Sequence, residues 1–145
     1  MASIAAVIRA PRHMSAIVST ANASAALAQR LTQLRLQEAD AEVRAHEHKH
    51  LAALGKGVIV YDTVVGPDGS VYAVGGGIGV DLQPVPGDPE ATIRKARLAI
   101  QAAYAVGEPS GADMKVAAEA YQLEMAAQRE LESEQAAGGV REWYA

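Results

Sequence analysis

The sequence predicts an α+β fold: a long N-terminal helix, a small antiparallel β-hairpin and two C-terminal helices. Three observations carry that reading. Residues 15–54 contain neither Pro nor Gly and are rich in Ala, Leu, Gln, Glu and Arg, all good helix formers. The β-branched run from Gly57 to Val65 is followed by Gly66-Pro67-Asp68-Gly69 and a second apolar run from Ser70 to Val74, the pattern of two strands around a tight turn. Pro and Gly clusters at 84–89 and 107–111 then bound two segments whose apolar positions recur with helical spacing.

The elements follow in order. Residues 1–14 contain Pro11 and read as a loose or docking arm. The segment 15–54 would span roughly 60 Å as one helix, or break into two near Asn22 to Ser24; Gly55 and Gly57 end it. After the hairpin, Gly75 to Gly79 mark a bulge or a close backbone approach, and Val80 to Val85 extend the strand. Asp88 fits a helix N-cap and Pro89 the first helical position, with Ile93, Ala96, Ile100 and Ala103 as the apolar face. Gly107-Glu108-Pro109 stops that helix. Ser110-Gly111-Ala112-Asp113 reads as a capping box with Asp in the Glu position. The last helix carries a stripe of Met114, Ala118, Tyr121 and Met125 and ends near Ala137. A tail over 138–145 presents Trp143 and Tyr144 to the domain or a partner. Residues 15–137 thus form one domain.

Composition narrows the function. The chain has 145 residues, of which 50% are hydrophobic and 21% charged, the balance of a soluble globular protein. Its net charge of −4 argues against nucleic acid as a partner, which calls for a basic face. No cysteine is present, which removes disulfides, thiolate catalysis and Cys-bound metals. There is no Phe and only one Trp, so the core must pack through small residues. No apolar run approaches the roughly 18–20 residues of a membrane span, and no secretion signal is legible at the N-terminus; a cytoplasmic protein is expected.

Three of the four histidines lie within five residues, His46-Glu47-His48-Lys49-His50. The His-Glu-x-x-His spacing places His46 and His50 one turn apart on one helix face, where both can bind one zinc ion. Glu47, rotated off that face but beside the metal, can take a proton from the attacking water and pass it to the leaving amine. Ala39, Val43, His46, His50 and Leu54 share a stripe, so the imidazoles continue an apolar face and need partners there. His48 points nearly the opposite way. A catalytic zinc usually has three protein ligands, and no His follows His50, so the third should be a carboxylate. Asp81 lies on the strand side and Glu90 in the first turn of the next helix, where an acid also suits the helix dipole; both stay open.

Four spaced words accompany the motif: Glu42-Val43-Arg44-Ala45-His46-Glu47, Gly66-Pro67-Asp68-Gly69, Tyr72-Ala73-Val74-Gly75-Gly76, and Pro84 to Ile93. In this order they resemble the SprA-related family of bacterial metalloprotease domains, over about residues 42–131. The resemblance implies a zincin-like fold and a zinc-dependent metallopeptidase. It also implies a departure: the family pattern has a Glu after the paired glycines, where this chain has Gly77. If that Glu binds metal or substrate in relatives, the chain is a weakened enzyme, uses another ligand, or has become a non-catalytic helical module that binds peptides or proteins.

Supporting roles remain. Tyr61 or Tyr72 could donate to an oxyanion, or simply pack across the strands. Glu42, one turn before His46, could orient its imidazole. Asp40 and Arg44 read as an i,i+4 pair, and Glu130, Glu132 and Glu134 as a solvated face. Gly75 to Gly79 lacks the Lys-Ser/Thr ending of a phosphate loop. The reading is a zinc peptidase with His46 and His50 as ligands, Glu47 as general base and a peptide or protein substrate held along the strand Tyr72 to Val80. Homodimerisation through the Ala/Leu stripe of 15–45 is a further expectation.

Overall fold

The computed structural model describes residues 12–143, and their side chains from 19 to 138. Its order is helix, hairpin, helix, helix, as expected. Helix α1 spans Arg12–Leu54 without a break near Asn22. It reaches back before Ser15, to Arg12, the first described residue. The arm expected over 1–14 is shortened accordingly, and residues 1–11 lie outside the described residues. Gly55, at φ 76, ends the helix with its N–H donating to the Leu51 carbonyl at 2.9 Å. Gln33, Leu36, Asp40, Val43, Glu47, His50 and Leu54 form its buried or half-buried face, recurring every three or four residues.

Strands β1 (Ile59–Val65) and β2 (Val71–Ile78) pair antiparallel across the expected turn. Gly69 takes φ 79 and donates to the Gly66 carbonyl at 3.0 Å. The glycines 75–77 do not loosen the end of the strand; they are part of it. The bulge sits just before them. Asp62 faces Gly75 while Thr63 faces Ala73, which leaves Val74 as the extra residue. Beside it, the Ala73 N–H donates to Asp40 Oδ1 at 2.7 Å, pinning the hairpin to α1. Residues 80–85 do not extend the strand. Side chains serve the backbone there instead: Gln83 N–H donates to Asp81 at 2.9 Å, and Val85 N–H to the Thr92 hydroxyl at 2.9 Å.

Helix α2 spans Pro89–Ala103, with Asp88 accepting from Ala91 N–H at 2.8 Å and Pro89 in the first turn, as expected. Helix α3 spans Gly111–Trp143. The capping box is real and reciprocal: Ser110 N–H donates to Asp113 at 2.7 Å, and Asp113 N–H to the Ser110 hydroxyl at 3.1 Å. Gly138 and Gly139 do not end this helix, since a glycine costs a helix only about 1 kcal/mol. The side chains of Trp143 and Tyr144 lie outside the described ones.

The α2–α3 seam is built from alanines. Ala96, Ala99, Ala102 and Ala103 of α2 and Ala117, Ala120 and Ala127 of α3 are buried. The expected α3 stripe is therefore wrong: Met114 and Tyr121 are more than half exposed. Small side chains let the two helices approach closely, and this turns the alanine face inward and leaves the bulky one outside. No helix among the described residues is long and apolar enough to cross a membrane.

Candidate metal centre

Helix α1 delivers the two histidines and Glu47, and the start of α3 delivers an acid that the sequence reading placed only in a cap. His50 is buried, and its Nδ1 lies 2.8 Å from the Ala102 carbonyl. A carbonyl only accepts, so Nδ1 carries the proton and the neutral ring aims its Nε2 lone pair into the site. That atom lies 3.1 Å from His46 Nε2 and 3.2 Å from Asp113 Oδ2, and His46 Nε2 lies 3.2 Å from the same oxygen. The two rings meet edge to face at 78°.

These three atoms form a nearly equilateral triangle. Donors arranged tetrahedrally around an ion at about 2.0–2.1 Å stand roughly 3.3 Å apart, so the spacing fits a small divalent cation. The chemistry fits too. Asp113 has no proton to give when ionised and His50 Nε2 has none in its tautomer, so His46 supplies at most one proton to three converging lone-pair groups. His46, His50 and Asp113 thus form a group that could hold a metal ion.

Asp113 is half-buried. Burial pushes its carboxyl up, but the Ser110 N–H and hydroxyl, His50 whenever it carries charge, and the bond to His46 together outweigh this, and the net direction is below the ordinary value. The Ser110–Asp113 cap therefore holds one carboxylate ionised for two duties. The expected third ligands are elsewhere. Asp81 is bound to Lys95 Nζ at 2.6 Å, and Glu90 is exposed, 3.9 Å from Arg94. A carboxylate held by a lysine and another in solvent do not join the group; Asp113 does. The sequence signal for it was the capping box itself, which says where an acid is held but not what it faces.

Glu47 is 7% exposed, in the middle of the inward face of α1 and not rotated off it. Its carboxylate makes no hydrogen bond or ion pair among the described residues. It lines a cavity of about 130 Å³ with His50, Asp113, Gly76 and Gly77, room for an ion and a few waters at ~30 Å³ each. The expected close approach falls on two of the glycines: a Cβ at Gly76 would lie 3.1 Å from Glu47 Cγ and 3.2 Å from the Val60 carbonyl, and one at Gly75 would lie 3.1 Å from the Asp62 carboxylate. At Gly77 a Cβ would meet nothing within 4 Å.

The other expected roles divide. Tyr72 is no oxyanion donor: its hydroxyl donates to Asp68 at 2.7 Å and also meets Gln33, at the turn end of the hairpin. Tyr61 lies under the Arg44 guanidinium of α1, 4.7 Å from the ring centre, and its partner across the strands is Gly76, so its contact is with the helix and not the expected cross-strand one. Glu42 lines a second hollow with His46 and Glu47 but makes no bond to His46 among the described residues. His48 turns away, bonded to the Arg44 carbonyl at 2.7 Å. Asp40 and Arg44 pair at 2.9 Å, as expected.

Fold and site together define an α+β chain in which two helices converge on a His/His/Asp group. The SprA-related family model matches residues 8–142, and the chain belongs to that family. No curated protein and no solved structure matches the chain.

Proposed function

We propose that the chain is a zinc-dependent peptidase in which His46, His50 and Asp113 hold the ion and Glu47 handles the proton. One observation carries this: three lone-pair donors stand 3.1–3.2 Å apart, and two of them, on His50 and Asp113, line the same cavity as the buried Glu47 carboxylate, unpaired among the described residues. An ion held there would supply Lewis acidity, bringing a water's pKa toward ~7. Glu47 then takes the proton of the attacking water and returns it to the leaving nitrogen. The Ala102 carbonyl fixes the His50 ring and the Ser110 cap fixes Asp113, so neither ligand has to be ordered during the reaction.

The test pairs metal analysis with quenched fluorescent peptides. About one zinc per chain is expected. Glu47→Gln should keep the zinc and lose about 10²–10⁴ in hydrolysis rate. An unchanged rate in that variant would overturn the assignment. A second reading, a non-catalytic peptide-binding module, is favoured by Gly77, where a Cβ would meet nothing within 4 Å and where the resemblance implies a Glu in relatives. Zinc without hydrolysis across a broad peptide library selects it.

Self-association through α1 belongs to the same proposal. Leu27, Leu31 and Leu34 stand 61%, 47% and 45% exposed at helical spacing. Sedimentation should show a dimer that Leu31→Lys converts to monomer; a wild-type monomer at high concentration excludes it.

A further inference from the structure

A third hollow adjoins the metal cavity, and its walls differ in character. The two share Leu54, Val80 and Ala99. Beyond that shared wall the floor stays apolar with Leu98, while the rim carries Lys56, Arg94 and Lys95 against one acid, Asp81. In a chain of net charge −4, this is a local excess of positive charge. Lys95 is committed to Asp81 at 2.6 Å and to the Gln83 carbonyl at 2.9 Å. Among the described residues Arg94 has only Glu90 at 3.9 Å, with both side chains about two-thirds exposed. Lys56 makes no hydrogen bond or ion pair among the described residues and acts on Asp81 only from a distance. Two cations on the rim are thus available to a ligand.

We infer that this hollow is a specificity subsite for an acidic residue of a peptide, whose carboxylate meets Lys56 and Arg94 while its methylenes lie on Leu54, Leu98 and Val80. The inference rests on the peptidase reading for its place beside the scissile bond. An amphipathic floor with a cationic rim suits Glu better than Asp, because the longer stem covers more of the apolar wall. A lysine or arginine in the peptide would meet like charge and be rejected.

The experiment uses zinc-loaded full chain and quenched fluorescent peptides that differ only in Glu against Gln within two residues of the cleaved bond. Labelled versions of the same peptides, titrated into Glu47→Gln protein, report binding without turnover. The Glu peptide should be preferred at least about fivefold, and the preference should shrink as salt is raised. The double variant Lys56→Glu/Arg94→Glu, at two exposed positions, should bring the Glu-to-Gln ratio to one or below. Hydrolysis with no Glu preference, or with a preference that the double variant does not move, overturns the subsite and leaves the peptidase standing. Glu-selective binding that the double variant abolishes, with no turnover by the wild type, supports the subsite and overturns the peptidase. Neither binding nor turnover overturns both.

Discussion

Gly76 and Gly77 are neighbours in one strand with opposite tolerance for a side chain. Gly76→Ala puts a methyl against Glu47 and a backbone carbonyl, and should cost about 1–2 kcal/mol, as overpacking does, while displacing Glu47. Gly77→Ala meets open space and should leave the thermal midpoint unchanged. Denaturant melts of the two variants check this, and equal losses would show that the approach to Glu47 is not what selects glycine. The sequence showed three adjacent glycines and a close approach, but not which of them faces Glu47. That depends on which face of β2 meets α1, and the extra residue Val74 sets this face. The metal group was legible to the same degree. His46 and His50 follow from spacing within one helix. Asp113 comes from 67 residues away, and only the docking of α3 decides whether its carboxylate faces the histidines or solvent.

The carboxylate of Asp40 joins helix α1 to the hairpin, accepting from Ala73 N–H and pairing with Arg44, beside Gln33, which donates to Asp68 and Tyr72. The Ala73 bond, more than Arg44, holds this carboxyl below its ordinary value of 3.8. A lowered folded-state value means that the stabilisation is complete above about pH 3.8 and is lost as pH falls through the folded-state value. Asp40→Asn should therefore lower the thermal midpoint at neutral pH and flatten the acid limb of the stability curve. Melting followed between pH 2 and 7 checks this, and an unaltered acid limb would remove Asp40 from the account. Elements with local signals were legible in order and kind: the Asp88 cap, the Gly66 turn and the Ser110 box all act within four residues. The buried face of α3 was not. Bulky residues draw the eye, but helix approach is governed by what fits in the seam, and there the alanines win over Met114 and Tyr121.

At the scale of the molecule, α1 packs on the hairpin and on α2, and α2 packs on α3, but no Cα of α1 comes within 8 Å of one in α3 among the described residues. The ligand triangle nevertheless spans those two helices. Removing the ion with a chelator should lower apparent stability by ~2.7 kcal/mol where free zinc had stood at 100 times Kd, several degrees in Tm. Asp113→Asn should blunt that response, which calorimetry with and without chelator measures; a chelator-insensitive wild type would sink it. A cation held by His46, His50 and Asp113 would act as the keystone between the two longest helices. Supply of that cation would then govern how long each copy survives. Molecules starved of it would be clipped first in the connection between α2 and α3, residues 104–110, so the amount of folded protein would track supply of the ion before any substrate is met.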